Sequence, residues 1–212
     1  MIVGRFRRGL VLSLLLAGGC ASHRLPTPVA TAPKLSDLPT IEKHDAPLGD
    51  AIAALSASPT TSTHLQVAEE YLRLRIFDQA YDHFKDALKI DSRYAAAYDG
   101  LARLWRDAGF LELGLTEASR AVYFAPKWAE AQNTLGTLLY ALGNAPEAQR
   151  KFELALSLDP TAAYVHSNLC YLSFVRGDLS RARDQCTEAL RLAPESPAAL
   201  ATLAAVSAAD RK

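Results

Sequence analysis

The sequence predicts an all-α protein built as a repeating helical solenoid. Three observations carry that prediction. First, 38 Ala and 33 Leu make up a third of the 212 residues, and both are strong helix formers. Second, residues of one kind recur every 34 positions from about residue 61 onward. Third, Gly and Pro fall at fixed places in that period, where they would punctuate helices. The 23 basic and 23 acidic residues lack the basic excess of a nucleic-acid binder. The composition also excludes collagen, a disulfide-dense miniprotein and disorder of the whole chain.

Residues 1–19 read as an export signal. Arg5, Arg7 and Arg8 precede an apolar stretch from Gly9 to Ala17, and Gly18, Gly19 and Cys20 follow. The uncharged run of 11 residues from Gly9 to Gly19 is about half of the roughly 20 that a spanning helix needs. Cys20 after two glycines resembles the bacterial lipobox, in which the Cys is lipidated and becomes the new N-terminus. Ala17 stands where that family usually has Leu. The resemblance implies a lipid on Cys20 as the only membrane attachment. With Ala21 next, rather than Asp, it implies the periplasmic face of the bacterial outer membrane. The competing reading is an ordinary cleaved signal with an incidental Cys. Without residues 1–19, 20 basic residues face 23 acidic ones.

Residues 20–47 read as a tether. They hold five of the 11 prolines (Pro26, Pro28, Pro33, Pro39 and Pro47) and no aromatic residue, which favours an extended spacer. Residues 48–60 read as a degenerate second helix, with Ala53 in the small-residue column of the repeats that follow.

The repeats are expected at 61–94, 95–128, 129–162 and 163–196, each with two helices of about 14 residues. Gly109, Gly143 and Gly177 mark one column, and Pro126, Pro160 and Pro194 another. Small residues recur at Ala80, Gly114, Ala148 and Ala182, and at Ala87, Ala121, Ala155 and Ala189. Large ones recur at Val67, Leu101, Leu135 and Leu169, and at Tyr71, Trp105 and Leu139. Small columns let paired helices approach closely, and large ones fill the space between repeats. Residues 197–210 read as a capping helix. The period and its columns resemble the tetratricopeptide repeat, which implies a right-handed superhelix of four repeats plus that cap.

A search for catalytic chemistry is negative. There is no paired-His zinc spacing, no Gly-x-Ser-x-Gly elbow and no phosphate-cradling Gly loop. His64 and His166 share a column with Tyr98 and Gln132, which a packing role explains, and His83 reads as solvated. No metal, cofactor, small-molecule substrate or nucleic acid is expected, and the protein reads as a non-enzyme. Cys170 and Cys186 stand in columns that face each other within one repeat. Export would favour a disulfide between them, and two reduced thiols packed as small hydrophobes are the alternative.

The family resemblance implies a concave face lined by first helices. On this sequence its inward positions are Leu65, Glu69, Leu72 and Arg73, then Asp99, Arg103, Arg106 and Asp107. Glu130, Asn133, Thr137 and Tyr140 follow, and then Tyr164, Ser167, Asn168, Tyr171 and Phe174. Arg103, Arg106, Asn133, Thr137, Tyr140, Tyr164, Asn168 and Tyr171 are the expected peptide-binding set, since Tyr and Arg favour hot spots and Asn can bond a ligand backbone. The alternative for Tyr171 and Phe174 is packing against helix 197–210. The family's chaperone-tail clamp needs Lys and Asn where this chain has Asp99 and Thr134, so that activity is not expected. The organisation resembles accessory lipoproteins of type IV and tight-adherence pili, which implies an envelope scaffold with a periplasmic protein or peptide partner. The other reading is an adaptor for peptidoglycan synthases or hydrolases.

Overall fold

A computed structural model describes residues 45–211. The signal sequence, Cys20, the tether up to residue 44, and His23 and His44 lie outside the described residues. The described chain is an α-solenoid without strands. Its helices are α1 (Ala46–Ala57), α2 (Thr61–Arg73), α3 (Phe77–Ile90), α4 (Ala95–Asp107) and α5 (Leu111–Phe124). They continue with α6 (Ala129–Ala141), α7 (Ala145–Leu158), α8 (Ala163–Val175), α9 (Leu179–Leu192) and α10 (Pro197–Ala209). From α2 to α9, first helices of 13 residues alternate with second helices of 14. No helix among the described residues is long and apolar enough to cross a membrane.

The turn inside each repeat has one design. The residue after the helix cap takes a left-handed conformation, and the next N–H returns to a carbonyl five residues back. Phe110, Asn144 and Asp178 donate in this way to Trp105, Leu139 and Ser173 at 2.8–3.0 Å, after Gly109, Gly143 and Gly177 with φ of 88°, 86° and 79°. The first repeat carries Arg75 in this position, with φ 59°. A side chain in this region costs about 1–2 kcal/mol. Arg75 recovers part of that by contacts outside its repeat's turn: its guanidinium donates to the Asp107 carbonyl at 3.2 Å and lies 5.3 Å from the Phe77 ring centre.

The columns form the core. Ala80, Ala87, Ala118, Ala121, Ala148, Ala155, Ala182 and Ala189 are all fully buried. A Cβ on Gly114 would lie 2.8 Å from Leu138, so this crossing tolerates no larger residue without displacement. Phe84 is also fully buried, and its ring packs over Gly100 of the next repeat. Removing such a ring typically costs about 3–5 kcal/mol.

Two expectations are corrected at the N-terminal end. Helix α1 starts two residues inside the expected tether, because Pro47 sits in its first turn, where no N–H donor is needed. Asp45 caps that turn by accepting from Leu48 N–H at 3.1 Å. Ala53 is exposed, so α1 does not keep the register of the second helices; it turns Leu48 and Ala51 inward instead. At the other end, Ser196 caps α10, which packs on α8 and α9 and buries Ala199, Thr202 and Val206. Cys170 of α8 and Cys186 of α9 are joined as a disulfide, with Cα atoms 5.1 Å apart.

Candidate functional site: the face of the first helices

Helices α2, α4, α6 and α8 bring positions one period apart side by side. The charged end of the face is centred on Arg103 in α4. Its Nε donates to Asp99 Oδ2, one turn earlier, at 2.9 Å, and its Nη2 pairs with Glu69, one full period earlier on α2. Burial of the guanidinium works against its charge, but Glu69 and Asp99 outweigh it and hold Arg103 firmly protonated. Asp99 is fully buried, and its other oxygen, Oδ1, has no hydrogen-bond partner among the described residues.

Glu130 on α6 faces this cluster. Partial burial of its carboxyl, and then the charge of Asp99, push it above the usual carboxylate range. Three carboxylates therefore surround one guanidinium, and this end of the face is acidic. Arg103 is engaged inside the fold, and Arg106 pairs with its neighbour Asp107 at 2.8 Å. Both arginines of the expected peptide-binding set thus carry an acidic partner on the same face and keep part of their side chains in solvent. The expectation that Leu72 lines the face is corrected: it is buried in the core of the first repeat.

The other end is uncharged and aromatic. Tyr140 of α6 and Tyr171 of α8 meet edge to face, with ring centres 5.8 Å apart. Burial and then Tyr171 push the Tyr140 phenol up to about 12. Tyr171 is 36% exposed and Tyr164 44% exposed. Burial, followed by the charges of Glu130, Asp159 and Asp99, raises the Tyr164 phenol. Between the two ends, Asn168 donates to Asn133 at 2.7 Å, and Thr137 donates back to the Asn133 carbonyl at 2.9 Å. The structure thus groups Asn133, Thr137, Tyr140, Asn168 and Tyr171 around the α6–α8 seam, with Tyr164 one turn before Asn168.

Two features escaped sequence reading. His83 is half-buried against His64, with Nδ1 atoms 3.2 Å apart, so it is not the solvated residue expected. A cavity of about 430 Å³ lies between second helices α3 and α5, lined by Tyr81, Leu88, Tyr98, Trp105, Leu113, Lys85 and Arg120 among others. The spacing signalled each residue, but not which residues of different columns would meet.

Residues 129–162 match the family model of the tetratricopeptide repeat, a family of protein–protein interaction scaffolds. Among curated proteins, the chain is 28% identical over 85 residues to the Hsp70-Hsp90 organizing protein of Triticum aestivum, spanning 40% of this chain and 15% of that protein. It is 26% identical over 110 residues to an uncharacterized protein of Haemophilus influenzae, spanning 52% of this chain and 62% of that one. Three solved structures share the fold. A thermophilic tetratricopeptide protein of Thermus thermophilus aligns with TM-score 0.68 at 23% identity, covering 81% of this chain and 94% of that one. PilF of Pseudomonas aeruginosa aligns with TM-score 0.66 at 24% identity, covering 71% and 69%. YrrB, described as having an unusual peptide-binding site, aligns with TM-score 0.54 at 21% identity, covering 78% and 84%.

Proposed function

We propose that this chain is a non-catalytic scaffold that binds an extended segment of a protein partner along the face of α2, α4, α6 and α8. The observation that carries this reading is the α6–α8 seam. There, partly exposed Tyr140 and Tyr171 rings stand beside the Asn133–Asn168 pair. Aromatic rings supply contact area at low entropic cost, and side-chain amides can bond a peptide backbone. The acidic cluster of Glu69, Asp99 and Glu130 adds a preference for a segment that is basic beyond its aromatic or apolar anchor.

The envelope setting belongs to the same proposal. The lipobox-like Cys20 supports a lipid anchor at the periplasmic face of the outer membrane, and the Cys170–Cys186 disulfide suits an oxidising compartment. The order of signal, Cys20, tether and repeats, which resembles accessory lipoproteins of type IV and tight-adherence pili, supports a role beside pilus or secretin assembly. The test is capture from crosslinked envelopes with wild type and a Tyr140→Ala, Tyr171→Ala double variant, read by mass spectrometry. A pilus or secretin component lost in the double variant is expected. A captured set unchanged by the variant would overturn the seam as the binding site. The second reading, an adaptor for cell-wall enzymes, is favoured by the cavity between α3 and α5, whose lining mixes Tyr81, Trp105 and Leu113 with Lys85, Glu117 and Arg120. It predicts partners retained by the double variant and lost on Leu113→Glu.

A further inference from the structure

One column of the solenoid is a latch between consecutive repeats. Tyr98 Oη donates to the Ser92 carbonyl at 3.0 Å, and Gln132 Nε2 to the Pro126 carbonyl at 2.9 Å. His166 Nε2 faces the Pro160 carbonyl at 3.2 Å. Each reaches six residues back and ties a first helix to the turn before it. His64 stands in the same column, one period before Tyr98. The carbonyl six residues before it belongs to Ser58, and the Thr63 hydroxyl occupies that carbonyl at 2.8 Å.

His64 turns its Nδ1 across to α3 instead, 3.2 Å from Nδ1 of His83. In the fourth repeat the same two positions hold His166 and Gln185, an ordinary hydrogen-bonded pair at 2.8 Å. In the first repeat both partners are imidazoles. At that distance either one Nδ1 carries the hydrogen and donates it to the other, or both present lone pairs to a shared metal ion. Asp86 follows His83 by three residues, and so lies on the same face of α3. One ligand atom from each of His64, His83 and Asp86 lies within 4.8 Å of the others, and all three residues are half-buried. Tyr71 stacks on the His83 ring, with ring centres 5.7 Å apart and planes 10° from parallel, which fixes its orientation.

We propose that His64, His83 and Asp86 form a binding site for a divalent transition-metal ion of the zinc class. The geometry suits that ion. Nitrogens 3.2 Å apart, each about 2.0–2.1 Å from a shared metal, subtend roughly 100° there, close to the tetrahedral angle. Two imidazoles and one carboxylate select zinc, copper or nickel over magnesium and calcium, which prefer all-oxygen shells. Water takes the remaining position. The Lys89 ammonium, 2.6 Å from Asp86 Oδ1, orients the carboxylate from outside. The ion would join α2 to α3 in the first repeat, as the Cys170–Cys186 bridge joins α8 to α9 in the fourth.

The test is calorimetric titration of the full chain, stripped by chelator, with Zn²⁺, together with thermal unfolding with and without the ion. Wild type is expected to bind Zn²⁺ at this site and to unfold at a higher temperature with it, while Mg²⁺ and Ca²⁺ leave the transition unmoved. His83→Gln installs the residue type that the fourth repeat uses at this position. It is expected to fold as wild type does without metal and to lose at least about tenfold in Zn²⁺ affinity. Asp86→Asn, a second variant at a partly exposed position, is expected to weaken binding by a similar factor. Wild-type affinity in both variants would overturn the site, because binding would then rest on other histidines. Absence of binding in wild type would overturn it as well, as would equal stabilisation by Mg²⁺.

Discussion

Arg103 pairs with Glu69, the residue that precedes it by one full period of the chain. The same guanidinium holds Asp99, which is fully buried. A buried carboxylate that loses its counter-charge is costly, whereas replacing a whole pair by apolar residues is often neutral. Arg103→Met is therefore expected to destabilise the protein by about 3 kcal/mol, toward the lower end of that range because Arg103 is itself partly exposed. Urea denaturation measures this. The double variant Arg103→Met, Asp99→Leu is expected to recover most of the loss. If the single variant matches wild type, Arg103 does not sustain the buried acid.

The acidic cluster also sets a pH dependence. Glu130 has its carboxyl raised above the ordinary value of 4.5, by partial burial and then by Asp99. A raised folded-state value gives stability that is fully present below the unfolded pKa and lost as pH rises through the folded one. Glu130→Gln should therefore be more stable than wild type at neutral pH, by less than about 1 kcal/mol because the group reaches solvent. The difference should close as the pH falls to about 4. Denaturation midpoints at the two pH values decide it, and a less stable variant at neutral pH would contradict the sign.

Two glycines should fail for different reasons. A Cβ on Gly143 meets nothing within 4 Å, so Gly143→Ala is penalised only by its φ of 86°, by about 1–2 kcal/mol. At Gly100 a Cβ would intrude on the buried Phe84 ring, and overpacking there should cost about 1–3 kcal/mol. Phe84→Leu added to each variant separates the two in thermal unfolding. It should offset part of the Gly100→Ala loss and none of the Gly143→Ala loss.

The fold was legible in the sequence because a 34-residue period acts on the backbone. Gly109, Gly143 and Gly177 had to end first helices, and the alanine columns had to be buried. The site was legible only in part. Asn133, Thr137, Tyr140, Asn168 and Tyr171 gather because they belong to adjacent first helices, which the period specifies. Asp99 and Arg103 belong to another first helix, α4, but their mutual charge draws them into the fold, and Glu69 of α2 completes the set. A column names a position and leaves the choice of partner to side-chain chemistry. His83 shows the same gap, since its meeting with His64 depends on both residues being imidazoles. Arg75 shows it at the level of backbone, because it occupies the glycine position of the turn and is compensated by the next repeat.

The bridge between Cys170 and Cys186 also decides how far the chain can be drawn out. A pull on the two ends of the described chain would pass directly through the sulfurs and bypass the 16-residue separation they close. At about 3.5 Å per residue, the unravelled contour is shorter by roughly 55 Å while the bridge holds. The turn carrying Gly177 lies inside that closed segment and would bear no tension. Under load the last repeat would therefore keep its two helices tied after the preceding ones had come apart.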